Sequence, residues 1–282
     1  MNRLKSLYVS AYIGGSITGL VAALVAIARA EGPSPWLGTA LACGTPAAFF
    51  ARVFAFPTAR TSPNLHLVLA AGVLGSAISG ALAGVFAAPT LVAAVVGVLG
   101  TLGYVYWYSR FATPGSQALR PGATLPSFTL VEQGRTVDSA TLLEKPALWI
   151  FYRGNWCPIC VAQVKEICAQ YRELARRGVE VFFVSPQSEA NTEQLAARCD
   201  APFRFLTDVG NAAAAALGIV ERNGLPAGMQ MFGYDSDVPR PAAFVTGSGG
   251  RILYCDMTDN YRVRPEPSQF FDVIDRYAAR PE

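Results

Sequence analysis

The 282 residues predict two unlike parts, a bundle of four membrane-spanning helices followed by a three-layer α/β domain. Three observations predict this architecture. Charged residues are sparse over the first 110 positions, those positions divide into four apolar runs, and from about residue 117 short apolar strands alternate with helical segments. The whole-chain values of 52% hydrophobic and 15% charged residues therefore average two different compositions.

The four apolar runs are each long enough to cross a bilayer, since a hydrocarbon core about 30 Å thick needs roughly 20 helical residues. Breaks containing Gly and Pro separate the runs, and Trp and Tyr residues lie at run ends, as is typical of membrane interfaces. We predict spans at 8–30, 36–56, 65–88 and 90–108.

Small residues recur at four-residue spacing within these runs, for example Gly15 and Gly19 in the first, Gly72 in the third and Gly97 in the fourth. Such spacing gives a helix a smooth face that packs closely against a neighbour in lipid. The runs contain almost no polar groups, so a compact bundle is favoured over a pore or a substrate path.

The distribution of Lys and Arg predicts the orientation. Nearly all the basic residues of the first 120 positions fall on one side of the four spans, and only Arg29, beside Glu31, falls on the other. The positive-inside rule then places both termini and the α/β domain in the cytoplasm, with the bacterial inner membrane as the expected location. The sequence Ala28-Arg29-Ala30 also resembles a signal-peptidase site, but cleavage there would leave the domain on the same side.

The composition of residues 111–282 excludes several function classes. Their 17 basic and 19 acidic residues give no basic surface for nucleic acid. The only histidine of the chain is His66, at the start of the third run. Serine triads, Cys-His pairs and His-rich zinc sites are therefore excluded from this part.

Apolar strand patterns and helical periodicity divide the second part into alternating elements. We expect domains at 1–112 and 122–282, joined by a linker at 113–121. The predicted strands lie at 128–131, 147–152, 179–184, 242–246 and 251–256, the last two forming a hairpin, and the predicted helices at 158–177, 189–198, 212–217 and 268–279.

One motif carries chemistry, Trp156-Cys157-Pro158-Ile159-Cys160, where a buried strand ends and a helix begins. Two thiols three positions apart lie within about one helical turn. The unpaired N–H groups of the helix start, together with Arg153, favour thiolate over thiol, and Pro158 suits the first turn. We therefore predict a lowered thiol pKa and cycling between dithiol and disulfide.

The alternatives for this motif are two incidental thiols or half of a zinc site, and a zinc site needs a second ligand pair. Only Cys168, Cys199 and Cys255 remain in this part, widely spaced, so redox use is favoured and no metal is expected. We expect Cys168 to face the core. Cys199 and Cys255 are interpreted as structural, with a resolving role as the alternative, and Cys43 stands alone in the bundle.

The motif resembles the thioredoxin pattern Trp-Cys-x-x-Cys, and the segment from Gly122 onward resembles the alkyl hydroperoxide reductase and thiol-specific antioxidant family, the peroxiredoxins and their relatives. Tyr152-Arg153-Gly154 before the motif, and Tyr261 with Arg264-Pro265-Glu266-Pro267, resemble a two-cysteine subgroup. The resemblance implies a thioredoxin-like fold and a Cys157/Cys160 redox disulfide with no other cofactor. It also implies a hydroperoxide or protein disulfide substrate and a thioredoxin-like or glutathione-type reductant.

The segment around Pro241 resembles the place where such folds carry a cis-proline facing the dithiol, with Arg240 beside it. On the peroxiredoxin pattern Pro-x-x-x-Thr-x-x-Cys, Arg153 takes the Pro position, Cys157 the Thr position and Cys160 the peroxidatic position. The later active-site Arg of the family falls at Pro241. In the thioredoxin interpretation the roles reverse, Cys157 attacking and Cys160 releasing the mixed disulfide.

Our sequence-based hypothesis is therefore a membrane-anchored, cytoplasm-facing thiol oxidoreductase with active-site support from Trp156, Arg153, Pro158, Pro241 and Arg240. The alternative is a membrane assembly or redox-sensor protein that binds other membrane proteins and whose redoxin domain regulates or binds without turnover.

Overall fold

The structure is a computed structural model that describes residues 2–111 and 115–279. Residues 113 and 114 of the predicted linker lie outside the described residues, as do residues 1, 112 and 280–282 of the two predicted domains.

Four helices form the first part, and each is long and apolar enough to cross a membrane. They are α1 (Asn2–Ala28), α2 (Trp36–Ala55), α3 (His66–Ala83) and α4 (Ala88–Tyr108). The third predicted run contains the end of α3, because Gly84 follows with φ of 91° and breaks the helix there. The helix α4 is wound with π-helical turns over most of its length.

Small residues allow these helices to approach at backbone distance. A Cβ added to Gly97 would lie 2.7 Å from the Ala42 Cβ, and one added to Gly72 would collide with the Gly97 carbonyl oxygen. Gly38 and Gly75 form a further close contact between α2 and α3 that the predicted stripe did not include. Close packing replaces the hydrophobic effect as the driving force between helices in lipid.

The second part is built around one seven-stranded sheet of order β2-β1-β5-β4-β3-β8-β9, parallel across β5-β4-β3 and antiparallel elsewhere. The strands are β1 (Thr129–Glu132), β2 (Arg135–Asp138), β3 (Ala147–Phe151), β4 (Glu180–Ser185), β5 (Arg204–Thr207), β6 (Val220–Glu221), β7 (Val238–Pro239), β8 (Ala242–Thr246) and β9 (Ile252–Asp256). The helices are α5 (Pro158–Ala169), α6 (Tyr171–Arg176), α7 (Glu189–Ala196), α8 (Ala212–Ala216) and α9 (Pro267–Ala278). The short strands β6 and β7 pair with each other outside this sheet.

The predicted order of elements agrees with this architecture, with two differences. The helix predicted at 158–177 is two helices, because Gln170 leaves the helical conformation at φ −93° and ψ 12°. The strands β2, β5, β6 and β7 were not predicted, because β2 and β5 mix polar with apolar residues and β6 and β7 have only two residues each. In β5, for example, Arg204 is bound by Glu132 of β1 at 2.6 Å.

The strand β3 is buried on both faces, which explains its continuous apolar sequence. Leu148 and Ile150 pack in the core that includes α5 and α9, whereas Trp149 and Phe151 pack in the core that includes α8. This strand leads directly to the dithiol motif.

A disulfide joins Cys168 near the end of α5 to Cys199 after α7, with the two Cα atoms 5.6 Å apart. The sequence analysis assigned Cys168 to the core. The side chain does pack against the core cluster around α5, but it is half-buried and bonded to Cys199. A pairing across 31 residues has no signal in the spacing alone.

The bundle docks on the α/β domain through the loop between α2 and α3, and the central group is the fully buried guanidinium of Arg262. It donates to the Thr61 hydroxyl at 3.0 Å, to the Ser109 hydroxyl at 2.9 Å, and to the carbonyl oxygens of Ser62 and Pro63, both at 2.7 Å. Every N–H group of a buried cation is expensive to leave unpaired, so this set fixes the loop in place.

An arginine of the α2–α3 loop itself, Arg60, binds in turn to the α/β domain. Arg60 forms a bidentate pair with Glu166 of α5, both contacts at 2.8 Å, and donates to the carbonyl oxygens of Arg264 at 2.9 Å and Pro265 at 2.8 Å. The α/β domain thus lies at the α2–α3 loop, the side of the bundle on which the sequence places most of its basic residues.

We predict that Arg262→Ala loosens this docking. Loss of hydrogen bonds from a buried charged donor should lower the free energy of unfolding by about 2 kcal/mol or more, measured by denaturant titration of the full chain in detergent micelles. Proteolysis within residues 57–65 should accelerate in parallel. The matched control is Arg276→Ala, on the exposed face of α9, and equal stability of the two variants would contradict the docking role of Arg262.

Candidate active site

The loop that carries the dithiol begins where β3 ends. Tyr152 is fully buried and its backbone N–H continues the sheet to Val184 at 2.9 Å. Gly154 then turns the chain with φ of 139°, and a Cβ there would lie 2.9 Å from the Trp156 ring. Only glycine suits this conformation and spacing, so the turn delivers Cys157 to the N-cap of α5 and Pro158 to its first position.

Gln187, in the segment after β4, fixes this loop through hydrogen bonds of its side chain. Its Oε1 accepts the backbone N–H of Asn155 at 2.8 Å, and its Nε2 donates to Asn155 Oδ1 and to the Tyr152 hydroxyl, both at 3.1 Å. Gln187 is itself buried. The position of the dithiol therefore depends on a residue that no sequence motif singled out.

Both thiols of the motif are free and almost completely buried, Cys157 being 2% and Cys160 0% exposed. The Cys157 thiol donates a hydrogen bond to the Cys160 sulfur, and this bond, followed by burial, raises the pKa of Cys157 well above its ordinary value. The pair therefore shares one proton, which stays on Cys157.

Cys160 is the thiolate of the pair. Burial alone would raise its pKa, but the hydrogen bond from Cys157, the positive charge of Arg264, and the backbone N–H and charge of Arg153 outweigh burial and lower the pKa of Cys160 to about 6. A thiolate formed at neutral pH in this way is the reactive form of cysteine.

Arg264 is the cation that the sequence analysis missed as a site residue. It is 4% exposed, and its Nε and Nη2 have no hydrogen-bond partner among the described residues. Its charge acts on both sulfurs, and burial lowers its own pKa. The sequence did contain a signal, because Arg264-Pro265-Glu266-Pro267 belongs to the family resemblance.

The guanidinium of Arg153, one of the predicted supporting residues, lies between two aromatic rings. Its guanidinium carbon is 4.6 Å from the Trp156 ring centre and 5.5 Å from that of Tyr261, and its Nη2 donates to the Gly224 carbonyl oxygen. The stacking holds the cation in a fixed orientation beside the dithiol.

Two predicted supporting residues have other roles. The expectation of a cis-proline at Pro241 is wrong, because the described residues contain no cis peptide bond. The chain is held extended there by the Arg240 N–H bond to the Ile219 carbonyl oxygen and by β8, which follows at once. The Arg240 guanidinium binds the carbonyl oxygens of Met257 and Thr258 at 2.9 and 3.1 Å and stacks on Phe111.

The remaining free cysteine of the α/β domain, Cys255, is not activated as a nucleophile. Burial, with a smaller effect of Asp256, raises the pKa of Cys255 to about 12, so at neutral pH it is a thiol. Cys199 is occupied by its disulfide with Cys168. The arrangement can thus perform nucleophilic attack by Cys160 followed by disulfide formation with Cys157.

Part of the chain is similar to a known protein family. A model of the AhpC/TSA family matches residues 121–255, which include the dithiol loop but not Arg264. This region of the chain, slightly less than half of its length, is therefore similar to the AhpC/TSA family. No curated protein sequence matches the chain.

Solved structures of peroxiredoxins are similar at low identity. Reduced Prx3 from Vibrio vulnificus, in complex with hydrogen peroxide, is 17% identical with a TM-score of 0.49 over 57% of this chain and 99% of that chain. Peroxidoxin BcpB from Mycobacterium tuberculosis is 17% identical with a TM-score of 0.47, over 58% and 99%. AhpC from the same organism is 18% identical with a TM-score of 0.45, over 57% and 94%.

We predict that thiolate absorbance at 240 nm, measured on the reduced full chain, rises with a midpoint near pH 6. Removing the cation in Arg264→Ala should raise that midpoint by about one unit or more, since an opposite charge within contact range stabilises the anion. Less thiolate would then be present at pH 7. Arg264→Lys should restore part of the shift, and Lys165→Ala, an exposed cation on α5, should leave the midpoint unchanged. A midpoint indifferent to Arg264 would contradict the assignment.

Proposed function

We propose that this chain is a membrane-anchored thiol peroxidase in which Cys160 attacks a hydroperoxide and Cys157 resolves the product. The observation that carries the proposal is the pair of free, buried thiols at the start of α5 beside the buried cation of Arg264, whose charge, with that of Arg153 and the hydrogen bond from Cys157, lowers the pKa of Cys160. In the peroxiredoxin pattern a threonine hydroxyl occupies the position of Cys157. A thiol there can donate to the attacking sulfur and can also form a disulfide with it.

The proposed reaction balances in two steps. The Cys160 thiolate attacks the distal oxygen of ROOH and the O–O bond breaks, so that Cys160 becomes a sulfenic acid and the alkoxide leaves as ROH after taking a proton from the solvent. The Cys157 sulfur then attacks the Cys160 sulfur, releasing water and forming the disulfide. Two electrons have passed from the dithiol to the peroxide, and an external thioredoxin-like or glutathione-type thiol returns them.

The burial of both thiols favours a hydroperoxide over a protein disulfide, the two substrate classes that the resemblance allows. A protein disulfide must bring a sulfur into line with the attacking thiolate, yet Cys160 is 0% and Cys157 2% exposed. A hydroperoxide presents a terminal oxygen that fits a narrow approach. The unpartnered N–H groups of Arg264 supply donors for the negative charge that develops on the leaving oxygen.

The proposal is tested with the full chain in detergent and one equivalent of hydrogen peroxide. The wild type should lose two hydrogens by intact mass. Cys157→Ser should form a dimedone adduct on Cys160, because the sulfenic acid is no longer resolved, and Cys160→Ser should form none on Cys157. The double variant Cys168→Ser/Cys199→Ser is the matched control and should lose two hydrogens like the wild type. An adduct confined to Cys157 would overturn the assignment of roles.

We further propose that the four helices anchor the protein in the membrane with the α/β domain on the cytoplasmic side. The excess of Lys and Arg at the docking side of the bundle supports this orientation. The Cys168–Cys199 disulfide is more typical of an oxidising compartment, and labelling of a reporter thiol distinguishes the two sides.

Arg276→Cys places a reporter thiol on the exposed face of α9. With the domain in the cytoplasm, a maleimide that cannot cross membranes should label this thiol only after the cells are permeabilised. The wild type is the background control. Labelling of intact cells would place the domain on the opposite side, whereas the peroxidase proposal would stand unchanged.

A further inference from the structure

A cavity of about 300 Å³ lies where the helical bundle meets the dithiol loop. Its wall combines Val9 of α1, Phe50 and Val53 of α2 and Tyr104 of α4 with Trp156 and Cys157 of the α/β domain. Cys157 is thus part of the cavity wall, whereas Cys160 is hydrogen-bonded to Cys157 and does not itself line the cavity. The two parts of the chain form this space together, and neither part encloses it alone.

The lining is almost entirely hydrocarbon and aromatic. Phe49, Phe50, Tyr104 and Tyr108 contribute rings from the bundle, and aliphatic side chains fill most of the rest. The volume is about ten times the roughly 30 Å³ that one water molecule occupies in the liquid. With Arg153 as its charged member, this mainly apolar wall matches an apolar chain better than it matches hydrogen peroxide.

The cavity also lies at the end of the bundle that faces the α/β domain. Its three contributing helices are each long and apolar enough to span a membrane. Val53 belongs to the last turn of α2, and the next residue, Phe54, lines the cavity and is 57% exposed. Phe56, which follows, is 75% exposed. Large apolar side chains are therefore presented outward at the rim, where lipid would contact them.

We propose that this cavity holds the acyl chain of a membrane lipid hydroperoxide and brings its peroxide group to the dithiol. The proposal rests on the peroxidase function above and names its substrate class. The lipid hydroperoxide would be reduced by Cys160 to the lipid alcohol, and Cys157 would then release water and close the disulfide. The two electrons come from the dithiol, and an external thiol restores them. Attachment to the membrane then places the enzyme at its substrate.

The test uses the full chain in phosphatidylcholine vesicles that carry phosphatidylcholine hydroperoxide. The rate constant of dithiol oxidation is measured with this lipid and with hydrogen peroxide. Val9→Trp fills the cavity, and the matched control is Val21→Trp on the same helix, where the side chain is 54% exposed and does not line the cavity. The rate constant for the lipid hydroperoxide divided by that for hydrogen peroxide should fall at least tenfold in Val9→Trp. In Val21→Trp this ratio should stay at the wild-type value.

Several outcomes separate the claims. An unchanged ratio in Val9→Trp would overturn the acyl-chain site while leaving the peroxidase function in place. If neither peroxide oxidises the dithiol of the wild type, the proposed function itself fails. If a short-chain quinone oxidises the dithiol without oxygen, and the lipid hydroperoxide does not, the cavity belongs to a quinone and the lipid assignment is wrong.

A second measurement covers the case in which Val9→Trp does not fold. Vesicles of the wild type containing a phospholipid with a diazirine in its acyl chain are irradiated, and the crosslinked residues are mapped by mass spectrometry. Crosslinks at Ile13 or Phe50, which line the cavity, support the proposal. Crosslinks confined to outward residues such as Val21 and Leu24 would overturn it.

Discussion

The buried guanidinium of Arg262 is the contact on which the rest of the arrangement depends. It binds the α2–α3 loop, and Arg60 of that loop binds the carbonyl oxygen of Arg264, two residues further along the chain. Arg264 in turn supplies positive charge to the dithiol, and Tyr261 of the same segment stacks against Arg153. One short segment therefore carries both the attachment to the bundle and the cation of the site, so the position of the bundle and the charge of Cys160 are linked through the backbone.

The site stabilises a thiolate although its sulfur is fully buried. A thiolate with no exposed surface would be unstable by itself, and burial does act to raise the pKa of Cys160. A thiol donor, a backbone N–H and two arginines offset that cost, while the proton of the pair stays on Cys157. In the proposed function, this enclosure favours a hydroperoxide over a bulky disulfide, and the apolar cavity is the approach from the bundle side. The same burial that would disfavour the thiolate thus also selects what can reach it.

The features that could be predicted from the sequence are those that depend on local patterns of residues. The four apolar runs, the buried strand β3, the β8–β9 hairpin and the dithiol at a helix start all have signals in periodicity or spacing. Arg264 and Gln187 reach the site only through the fold, more than 100 and about 30 residues from Cys157, and no spacing rule connects them. The Cys168–Cys199 pairing and the short strands β5 to β7 depend likewise on tertiary contacts. The cis-proline expectation came from resemblance alone and was wrong, since Arg240 and Pro241 continue an extended chain into β8.

The central claim, that docking of the bundle sets the charge at the dithiol, is tested most directly in Arg60→Ala, because Arg60 donates to Glu166 and to the carbonyl oxygens of Arg264 and Pro265 and belongs to the bundle loop. The measurement is the pH at which half of Cys160 is thiolate. It is obtained from the pH dependence of the alkylation rate of the reduced full chain. The account predicts a midpoint above the wild-type value of about 6, since Arg264 loses its anchor. An unchanged midpoint, with the bundle still docked, would contradict it.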